Sequence, residues 1–370
     1  MKIAIVGPAH PYKGGGARHT TELAHRLTAE GHDVVIESWR AQYPARLYPG
    51  QQTVDEPEGS PYPRTRRRLA WYSPWSWFAA GRRLRSADLV VFALLTPIQV
   101  PAYLVLLTAL GRHPRTVVLC HNVLPHERRP GDVALTRALL RRASRALVHS
   151  QDQAALAHDL APKTPAHVAS LPPHWPHKPH EPRARGASAP LAKEARVPAG
   201  DVRLLFFGIV RPYKGLDVLL RALAGAPENV RLTVAGEFWG GTADTEKLIA
   251  ALGVADRVTL RPGYVPAKDV PALFEGADLL VLPYRAATAS QNAQLAFAHG
   301  LPVIATTAGS LAEQVTDGVN GYTAVPGDVA DLRRALVLAS EPDTLARLRA
   351  AVHAPDPQPA WGSYLAALLG

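Results

Sequence analysis

Arg211 and Lys214 are two cations in a short turn, residues 208–215, that begins and ends with glycine. The apolar run before the turn has the character of a buried strand, and the segment after it is apolar on one face, like an amphipathic helix. Such a turn presents backbone N–H groups at a helix N-terminus beside the two cations. This arrangement suits anionic oxygens, because the arginine offers a planar fork to a diphosphate and the lysine a mobile point charge. The alternative is an ordinary strand-to-helix turn whose cations are solvated.

A second glycine-rich turn lies near the N-terminus, where Gly14, Gly15 and Gly16 follow one another. Residues 2–6 read as a strand, 17–30 as a helix and 34–36 as the next strand, an order that predicts a parallel sheet. The loop is too long for the dinucleotide-binding fingerprint. Its glycines nevertheless let a ligand approach the backbone closely, ahead of a helix N-terminus that favours an anion.

Polar residues follow several other predicted strands, at the edge of an α/β sheet where ligands bind. Residues 117–120 read as a buried strand that ends at His121 and Asn122. The histidine fits a site role, and the alternative is an ordinary buried histidine. In the second half the corresponding positions are Glu237, 263–264, 284–292 and Thr306. Hydroxyls and amides at 288–292, ahead of a helix predicted at 293–299, suggest a further anion or sugar site.

Residues 64–85 place five aromatic rings, Trp71 and Trp75 among them, between two arginine clusters. This pattern suits a lipid headgroup interface, and it would also suit stacking on nucleic acid. The alternative is a loop whose aromatic rings pack inward while the arginines are solvated. Residues 137–145 are expected to add a second basic helical face to the same surface.

The composition is that of a globular protein: 370 residues, 47% hydrophobic and 19% charged, enough for two domains. Residues 1–185 hold 25 Lys and Arg against 13 Asp and Glu, whereas residues 186–370 hold 16 against 18, so the first half is expected to face something anionic. A single cysteine, Cys120, fits a reducing cytoplasm, and no signal peptide is expected. The apolar stretch 89–110 is long enough for a membrane span, but its prolines favour a strand followed by a helix.

In their order and spacing these segments resemble the retaining glycosyltransferases of family 4, which have the GT-B fold. The match covers nearly the whole chain. Besides the two glycine turns, it includes GHDVVI at 31–36, HNVLPHE at 121–127, AGE at 235–237, PGYVP at 262–266, and the run at 300–328.

The resemblance implies an α/β protein in which two Rossmann-like, doubly wound domains face a central cleft and a C-terminal helix crosses back to the first domain. The predicted boundaries are an acceptor-binding domain at 1–175, a linker at 176–200, a nucleotide-sugar-binding domain at 201–354 and the crossover helix at 355–370. The linker is rich in proline and histidine, and a surface connection is favoured there over a metal site.

The resemblance also implies roles for single residues. Arg211 and Lys214 match the pair that holds the donor diphosphate and stabilises its departing charge, and His121 matches the histidine beside the donor sugar. The expected donor-binding residues are Gly15, Gly16, Gly208, Glu237, Tyr264, Val265, Thr288, Ser290 and Gln291. On the acceptor side we expect His10, Asn122, Trp71 and Trp75.

The chain departs from the family pattern at two positions. Many members carry a glutamate that binds the sugar and another that binds the ribose, where this chain has Ala287 and Leu295. The arginine also precedes the lysine by three residues rather than five. A carboxylate that binds the ribose is therefore not expected, and the donor cannot be read from these positions.

The resemblance predicts transfer of a sugar from a UDP- or GDP-sugar to a hydroxyl of a glycan, glycolipid or small molecule. No cofactor or metal is expected, because the chain lacks an Asp-x-Asp sequence. An anionic membrane surface is a candidate partner of the basic first half, whereas nucleic acid is not expected. The alternatives are a non-catalytic GT-B scaffold, which the missing glutamates suggest, and a hydrolase or epimerase acting on nucleotide sugars.

Overall fold

The computed structural model describes residues 1–44, 51–56, 59–173, 200–288 and 290–370. The chain divides into two compact units, one made of Met1–Pro176 with Asp356–Gly370 and the other of His177–Pro355. Most of the predicted linker, including its histidines, lies outside the described residues.

The first unit is built on a parallel sheet of seven strands in the order β3-β2-β1-β4-β5-β6-β7. The strands are β1 (Lys2–Val6), β2 (Asp33–Ala41), β3 (Thr65–Ala70), β4 (Leu89–Leu94), β5 (Arg115–Cys120), β6 (Arg145–Val148) and β7 (Ala166–Val168). The helices are α1 (Gly15–Ala29), α2 (Pro74–Arg83), α3 (Val100–Leu110), α4 (Asp132–Leu140) and α5 (Gln151–Leu160). Every residue of β4 is buried, as expected of a parallel strand covered on both faces.

The second unit has a parallel sheet of six strands in the order β10-β9-β8-β11-β12-β13. Its strands are β8 (Val202–Phe207), β9 (Val230–Gly236), β10 (Val258–Pro262), β11 (Leu279–Leu282), β12 (Val303–Thr306) and β13 (Gly321–Ala324). Its helices are α6 (Leu216–Ala224), α7 (Ala243–Leu252), α8 (Val270–Glu275), α9 (Gln291–Ala298), α10 (Leu311–Gln314), α11 (Val329–Ser340) and α12 (Pro342–Ala350). The strand order reverses between β8 and β11, and between β1 and β4 in the first unit. In open α/β sheets ligands bind at such a reversal.

The last helix, α13 (Pro357–Leu369), belongs to the first unit. The Asp356 carboxylate accepts from the backbone N–H of Gln358 at 2.9 Å and caps its N-terminus. Trp361 and Tyr364 are each only 1% exposed, because they pack into the core between α1 and the sheet. The prediction that the terminal helix crosses back to the N-terminal domain is confirmed.

The segment 89–110 is divided as predicted, into the buried strand β4 and the helix α3, so the membrane-span alternative is wrong. Within the described part of the chain, no helix is long and apolar enough to cross a membrane.

The alternative of a loop at residues 64–85 and the prediction of a basic helical face at residues 137–145 both need correction. Residues 64–85 form β3 and α2 rather than a loop, and only Trp77 of their three tryptophans packs against the core. Residues 137–145 do not form one basic helical face, because α4 ends at Leu140 and Arg145 already begins β6.

Candidate functional site

The turn after β8 lies where the strand order of the second sheet reverses. Gly208 has a φ of +109°, and a Cβ there would lie 3.4 Å from Lys214 Nζ and 3.5 Å from Asn292 Nδ2. A Cβ on Gly236 would overlap the carbonyl oxygen of Gly208. The two glycines therefore let the ends of β8 and β9 approach each other, and they leave backbone directly beside the ammonium group.

Lys214 lies against the aromatic ring of Tyr284, with Nζ 4.9 Å from the ring centroid. The amide nitrogen of Asn292 donates to the Tyr284 hydroxyl at 3.3 Å and to the carbonyl of Phe207 at 2.9 Å. Burial lowers the pKa of Lys214, but its interactions with the phenol groups of Tyr284 and Tyr213 outweigh burial and leave the pKa above its ordinary value. Lys214 is therefore a fixed cation at neutral pH.

Arg211 stacks on a tryptophan of the neighbouring loop. Its guanidinium carbon lies 4.5 Å from the centroid of the Trp239 ring, and the Trp239 backbone N–H donates to the carbonyl of Val210 at 3.2 Å. A guanidinium that stacks on an indole face can still donate hydrogen bonds in its own plane. Arg211 thus precedes the short helical turn Pro212–Lys214, and Lys214 is the last residue of that turn.

Arg285 fastens this turn to the loop that follows β11. It donates to both carboxylate oxygens of Asp217, at 2.7 and 2.6 Å, and to the carbonyl of Pro212 at 2.8 Å. Its backbone N–H donates to the carbonyl of Tyr213 at 2.7 Å. The hydrogen bonds from Arg285 hold the pKa of the Asp217 carboxyl below its usual value. The turn with the two cations is thereby held to the loop on the other side of the reversal point.

The N-terminus of α9 lies beside the same loop. The Ser290 hydroxyl caps the helix by accepting from the backbone N–H of Asn292 at 3.3 Å, as the predicted hydroxyl-and-amide run requires. Thr288 is buried, and its hydroxyl has no hydrogen-bond partner among the described residues. Gln291 is the first helical residue and is partly buried. These groups form a neutral polar surface at a helix N-terminus.

Ala287 and Leu295, which stand where many family members carry glutamates, both lie against other parts of the second unit. A Cβ on Gly309 would overlap the carbonyl oxygen of Ala287, so this backbone lies directly against the loop after β12. The buried Ser310 hydroxyl, which follows in that loop, also has no hydrogen-bond partner in the described ranges. Leu295 lies on α9 and packs against the core. Neither position supplies a carboxylate.

Glu237, Tyr264 and Val265 occupy adjacent strand ends. Glu237 follows β9, and its carbonyl accepts from the backbone N–H of Val210 at 2.8 Å. Tyr264 and Val265 follow β10, the edge strand of the sheet, and both are partly buried. From β8 to β10 is about 10 Å, so these residues and the cations line an elongated strip along the sheet edge.

In the first unit, Gly15 and Gly16 form the first turn of α1 rather than the loop before it. A Cβ on Gly16 would overlap the side chain of Leu95. Close packing against Leu95 is therefore a second reason, besides a ligand's approach to the backbone, for a glycine at this position. His10 lies in the preceding loop and is partly buried. The glycines thus lie at a helix N-terminus beside the point where the strand order of the first sheet reverses.

His121 and Asn122 follow β5, as predicted. The backbone N–H of His121 donates to the carbonyl of Leu94 at 3.0 Å, and the Oδ1 atom of Asn122 is buried without a hydrogen-bond partner in the described part of the chain. The ring of His121 contacts His19 and His149, with centroid separations of 5.0 and 5.5 Å. His121 is therefore one of three adjoining imidazoles.

Trp71 and Trp75 are not brought close to His121. They follow β3, the edge strand, which is four strands from β5 or about 19 Å along the sheet. Trp71 is 43% exposed and Trp75 is 75% exposed. Their side chains face solvent, so the alternative in which these rings pack inward is wrong for both.

The described ranges contain no group of three or more His, Cys, Asp or Glu side chains placed to hold a metal ion. Sequence reasoning included Tyr284, Arg285 and Asn292 only as part of the polar segment 284–292, without separate roles, and it missed Trp239 and His19. For His19 a signal existed, since it lies four residues before Leu23 and eight before Leu27 on the buried face of α1. Trp239 and Arg285 carried no such signal, because their roles arise from contacts between different loops.

Both units match models of known protein families. The model described as glycosyl transferases group 1 matches residues 201–341, and the model described as glycosyltransferase family 4 matches residues 13–173. The D-inositol 3-phosphate glycosyltransferase of Segniliparus rotundus is 35% identical over 142 residues, which cover 37% of this chain and 31% of the relative. The protein of the same name from Streptomyces scabiei is 36% identical over 199 residues, covering 50% of this chain and 44% of the relative. The matched region thus spans less than half the length of these relatives.

A solved structure shares the fold along the whole length. Anabaena HepE, crystallised with UDP and glucose, superposes with a TM-score of 0.73 at 18% identity, covering 100% of this chain and 99% of that protein. Because the family models cover both units and this superposition covers the whole fold, the chain belongs to the family 4 glycosyltransferases and has the GT-B fold.

Proposed function

We propose that the protein is a retaining glycosyltransferase that moves a sugar from a nucleotide-diphospho-sugar to a hydroxyl acceptor. The observation that carries this proposal is the placement of Arg211 and Lys214 on one turn at the strand-order reversal of the second unit. The arginine stacks on Trp239, and Tyr284 and Tyr213 keep the pKa of the lysine above its ordinary value. Two preorganised cations on one turn suit a diphosphate.

In the proposed reaction the bond between the anomeric carbon and the diphosphate oxygen breaks while a bond to the acceptor oxygen forms on the same face. The acceptor's proton passes to the departing diphosphate. Negative charge therefore grows on the diphosphate, where Lys214 and Arg211 stabilise it without having to reorganise. His121 would lie beside the sugar, as in the family that this chain resembles.

A UDP- or GDP-sugar is the proposed donor. HepE forms a complex with UDP and glucose, which supports a nucleotide sugar as the donor class. The curated relatives are named D-inositol 3-phosphate glycosyltransferases, which supports a hydroxyl acceptor. The neutral polar groups at α9 are proposed to meet sugar hydroxyls, in place of the two carboxylates that other members use. We also propose that no metal is required, because the two cations themselves stabilise the diphosphate.

The test is a panel of UDP-, GDP- and ADP-sugars, each followed by thermal shift and by product analysis with and without acceptor, in EDTA and in Mg²⁺. A nucleotide at a hundred times its Kd should stabilise the protein by about 2.7 kcal/mol. We expect one nucleotide family to do so and its sugar to reach an acceptor in EDTA. Stabilisation without turnover would favour the non-catalytic scaffold. Sugar release without transfer would favour a hydrolase, and loss of transfer in EDTA would contradict metal independence.

We further propose that an anionic membrane surface is a partner of the β3–α2 region. Trp71, Tyr72 and Trp75 are 43%, 56% and 75% exposed, and the nearby Arg67 and Arg68 are also exposed. Exposed aromatic rings beside cations match a lipid headgroup layer, in which indoles lie at the interface and each arginine gains about 1 kcal/mol from anionic lipid.

Replacing Trp71, Tyr72 and Trp75 with serine is therefore expected to weaken binding to phosphatidylglycerol-containing vesicles. Burying roughly 100 Å² of one indole is worth ~2 kcal/mol, so the partition coefficient should fall at least about tenfold in co-sedimentation. The control replaces Val319 and Val325, exposed apolar residues of the second unit, with serine. Equal binding by the two variants, or equal binding to neutral phosphatidylcholine vesicles, would contradict the membrane proposal.

A further inference from the structure

Three histidine rings adjoin one another inside the first unit. His19 comes from α1, His121 from the end of β5 and His149 from the end of β6. The His19 and His121 centroids are 5.0 Å apart with the rings nearly perpendicular, and His121 and His149 are 5.5 Å apart. His19 is fully buried and His149 is nearly so. Two buried imidazoles therefore form one side of the environment of His121.

The C-terminal helix α13 covers the two buried imidazoles with aromatic rings. Trp361 stacks on His19 at 5.5 Å with an interplanar angle of 17°, and Tyr364 meets the same ring edge-on at 5.3 Å. Tyr364 also stacks on His149 at 5.9 Å. Both aromatic side chains thus contact histidines that in turn contact His121.

The aromatic rings are themselves held in place. Trp361 Nε1 donates to the carbonyl of Pro173 at 2.9 Å, and the guanidinium carbon of Arg26 lies 5.5 Å from the centroid of the indole. Arg26 also donates to Gln358 of α13 at 2.8 Å. These contacts fix the helix to α1 and to the chain after β7, so the aromatic layer has a defined position.

We propose that His19, His149, Trp361 and Tyr364 are positioning residues that fix the ring orientation of His121, so that the C-terminal helix is required for His121 to act. The proposal rests on the proposed function only in giving His121 a role beside the sugar. The ring contacts themselves do not depend on it.

The chemistry of His149 supports a fixed arrangement. Burial lowers the pKa of His149 to about 4, so the ring is neutral at pH 7. Its Nδ1 lies 3.1 Å from the carbonyl oxygen of Ala169 and must carry the proton to donate to it. The Nε2 atom then holds a lone pair, inside a cluster whose ring packing permits few alternative orientations. A neutral ring with one defined tautomer and a fixed packing position presents an unchanging face to the ring of His121.

The primary test is the ¹⁵N spectrum of the histidine rings, recorded on the full chain at pH 7, because ring ¹⁵N shifts respond to the hydrogen bonding and the aromatic surroundings of each nitrogen, and both change when the ring reorients. His121→Gln assigns the relevant signal among the 15 histidines. Tyr364→Leu is expected to shift or broaden the His121 signal. Tyr364→Phe keeps the aromatic ring, so its His121 signal should match that of the wild type. A His121 signal that is unchanged in Tyr364→Leu would overturn the proposal.

The matched control is Tyr103→Leu. Tyr103 is as deeply buried as Tyr364, but it packs against Trp39 and Phe92 in the other core of the same unit. Its replacement should lower the melting temperature without moving the His121 signal. If both variants move that signal equally, the effect is general loosening and the positioning role fails. Should Tyr364→Leu not fold, His19→Gln gives the same readout.

Turnover supplies a second readout that a merely structural residue would not change. With the nucleotide sugar that the wild type uses, Tyr364→Leu should lower kcat by roughly tenfold to a hundredfold, as expected for a misplaced reacting group. The thermal shift with UDP or GDP should stay unchanged, because the proposed diphosphate site lies in the other unit. An unchanged kcat would overturn the proposal. If the wild type turns over no nucleotide sugar, the proposed function fails, and the ring spectrum alone decides the positioning role.

Discussion

Replacing Lys214 with alanine is expected to lower kcat for sugar transfer by roughly 10²- to 10³-fold, the loss typical of removing one preorganised group that stabilises developing charge. The ammonium group lies beside the backbone of Gly208 and against the ring of Tyr284, and its pKa is raised. It is therefore cationic and already in place when the proposed diphosphate begins to leave. Because the same group would meet the ground-state diphosphate, stabilisation of the protein by UDP or GDP should also fall.

The measurement is a pair of steady-state constants and a nucleotide thermal shift for Lys214→Ala and Lys247→Ala. Lys247 is the matched control, since it lies on α7 of the same unit, is 79% exposed and pairs only loosely with Asp244 at 3.6 Å. Its loss removes the same formal charge and should leave both readouts near wild type. Equal effects of the two variants would mean that net charge, rather than a site, explains the nucleotide response.

Much of this fold could be predicted from the sequence, because its signals are local. Apolar runs such as residues 204–207 and 117–120 became strands, and the glycine turn at 208–215 connects a strand to a helix as predicted. Parallel pairing then places the turns that follow the strands at one edge of each sheet. The positions of Arg211, Lys214 and His121 at strand ends follow from these rules alone.

The rest of the two sites depends on contacts between distant segments. Trp239 stacks on Arg211 from the next loop, and Tyr284 reaches Lys214 across the strand-order reversal. Nothing in the local spacing of either aromatic residue indicates these partners. Likewise, His149 and Tyr364 are more than 200 residues apart in the sequence yet stack on each other. Sequence patterns fix which residues lie at a sheet edge, whereas packing decides which of them touch.

The turn that carries both cations should be especially sensitive to Gly215→Ala. Gly215 has a φ of +68°, which costs an alanine about 1 to 2 kcal/mol, and a Cβ there would overlap the carbonyl oxygen of Pro283. The obstacle is backbone that leads directly into Tyr284, so it cannot swing away as a flexible side chain would. Relief requires the turn and the loop after β11 to separate, and this moves Lys214 away from Tyr284.

Gly253→Ala separates the backbone strain of a positive φ from the overlap with Pro283. Gly253 has a φ of +67°, but no heavy atom lies within 4 Å of the added Cβ. Both variants share the backbone strain, and only Gly215→Ala adds the overlap, which should cost a further ~1 to 3 kcal/mol in the free energy of unfolding. Urea titration measures that difference. Nucleotide-dependent stabilisation should persist in Gly253→Ala and disappear in Gly215→Ala. If both variants bind nucleotide like the wild type, the close approach of these two loops does not set the position of Lys214, and the proposed diphosphate site would have to tolerate a displaced turn.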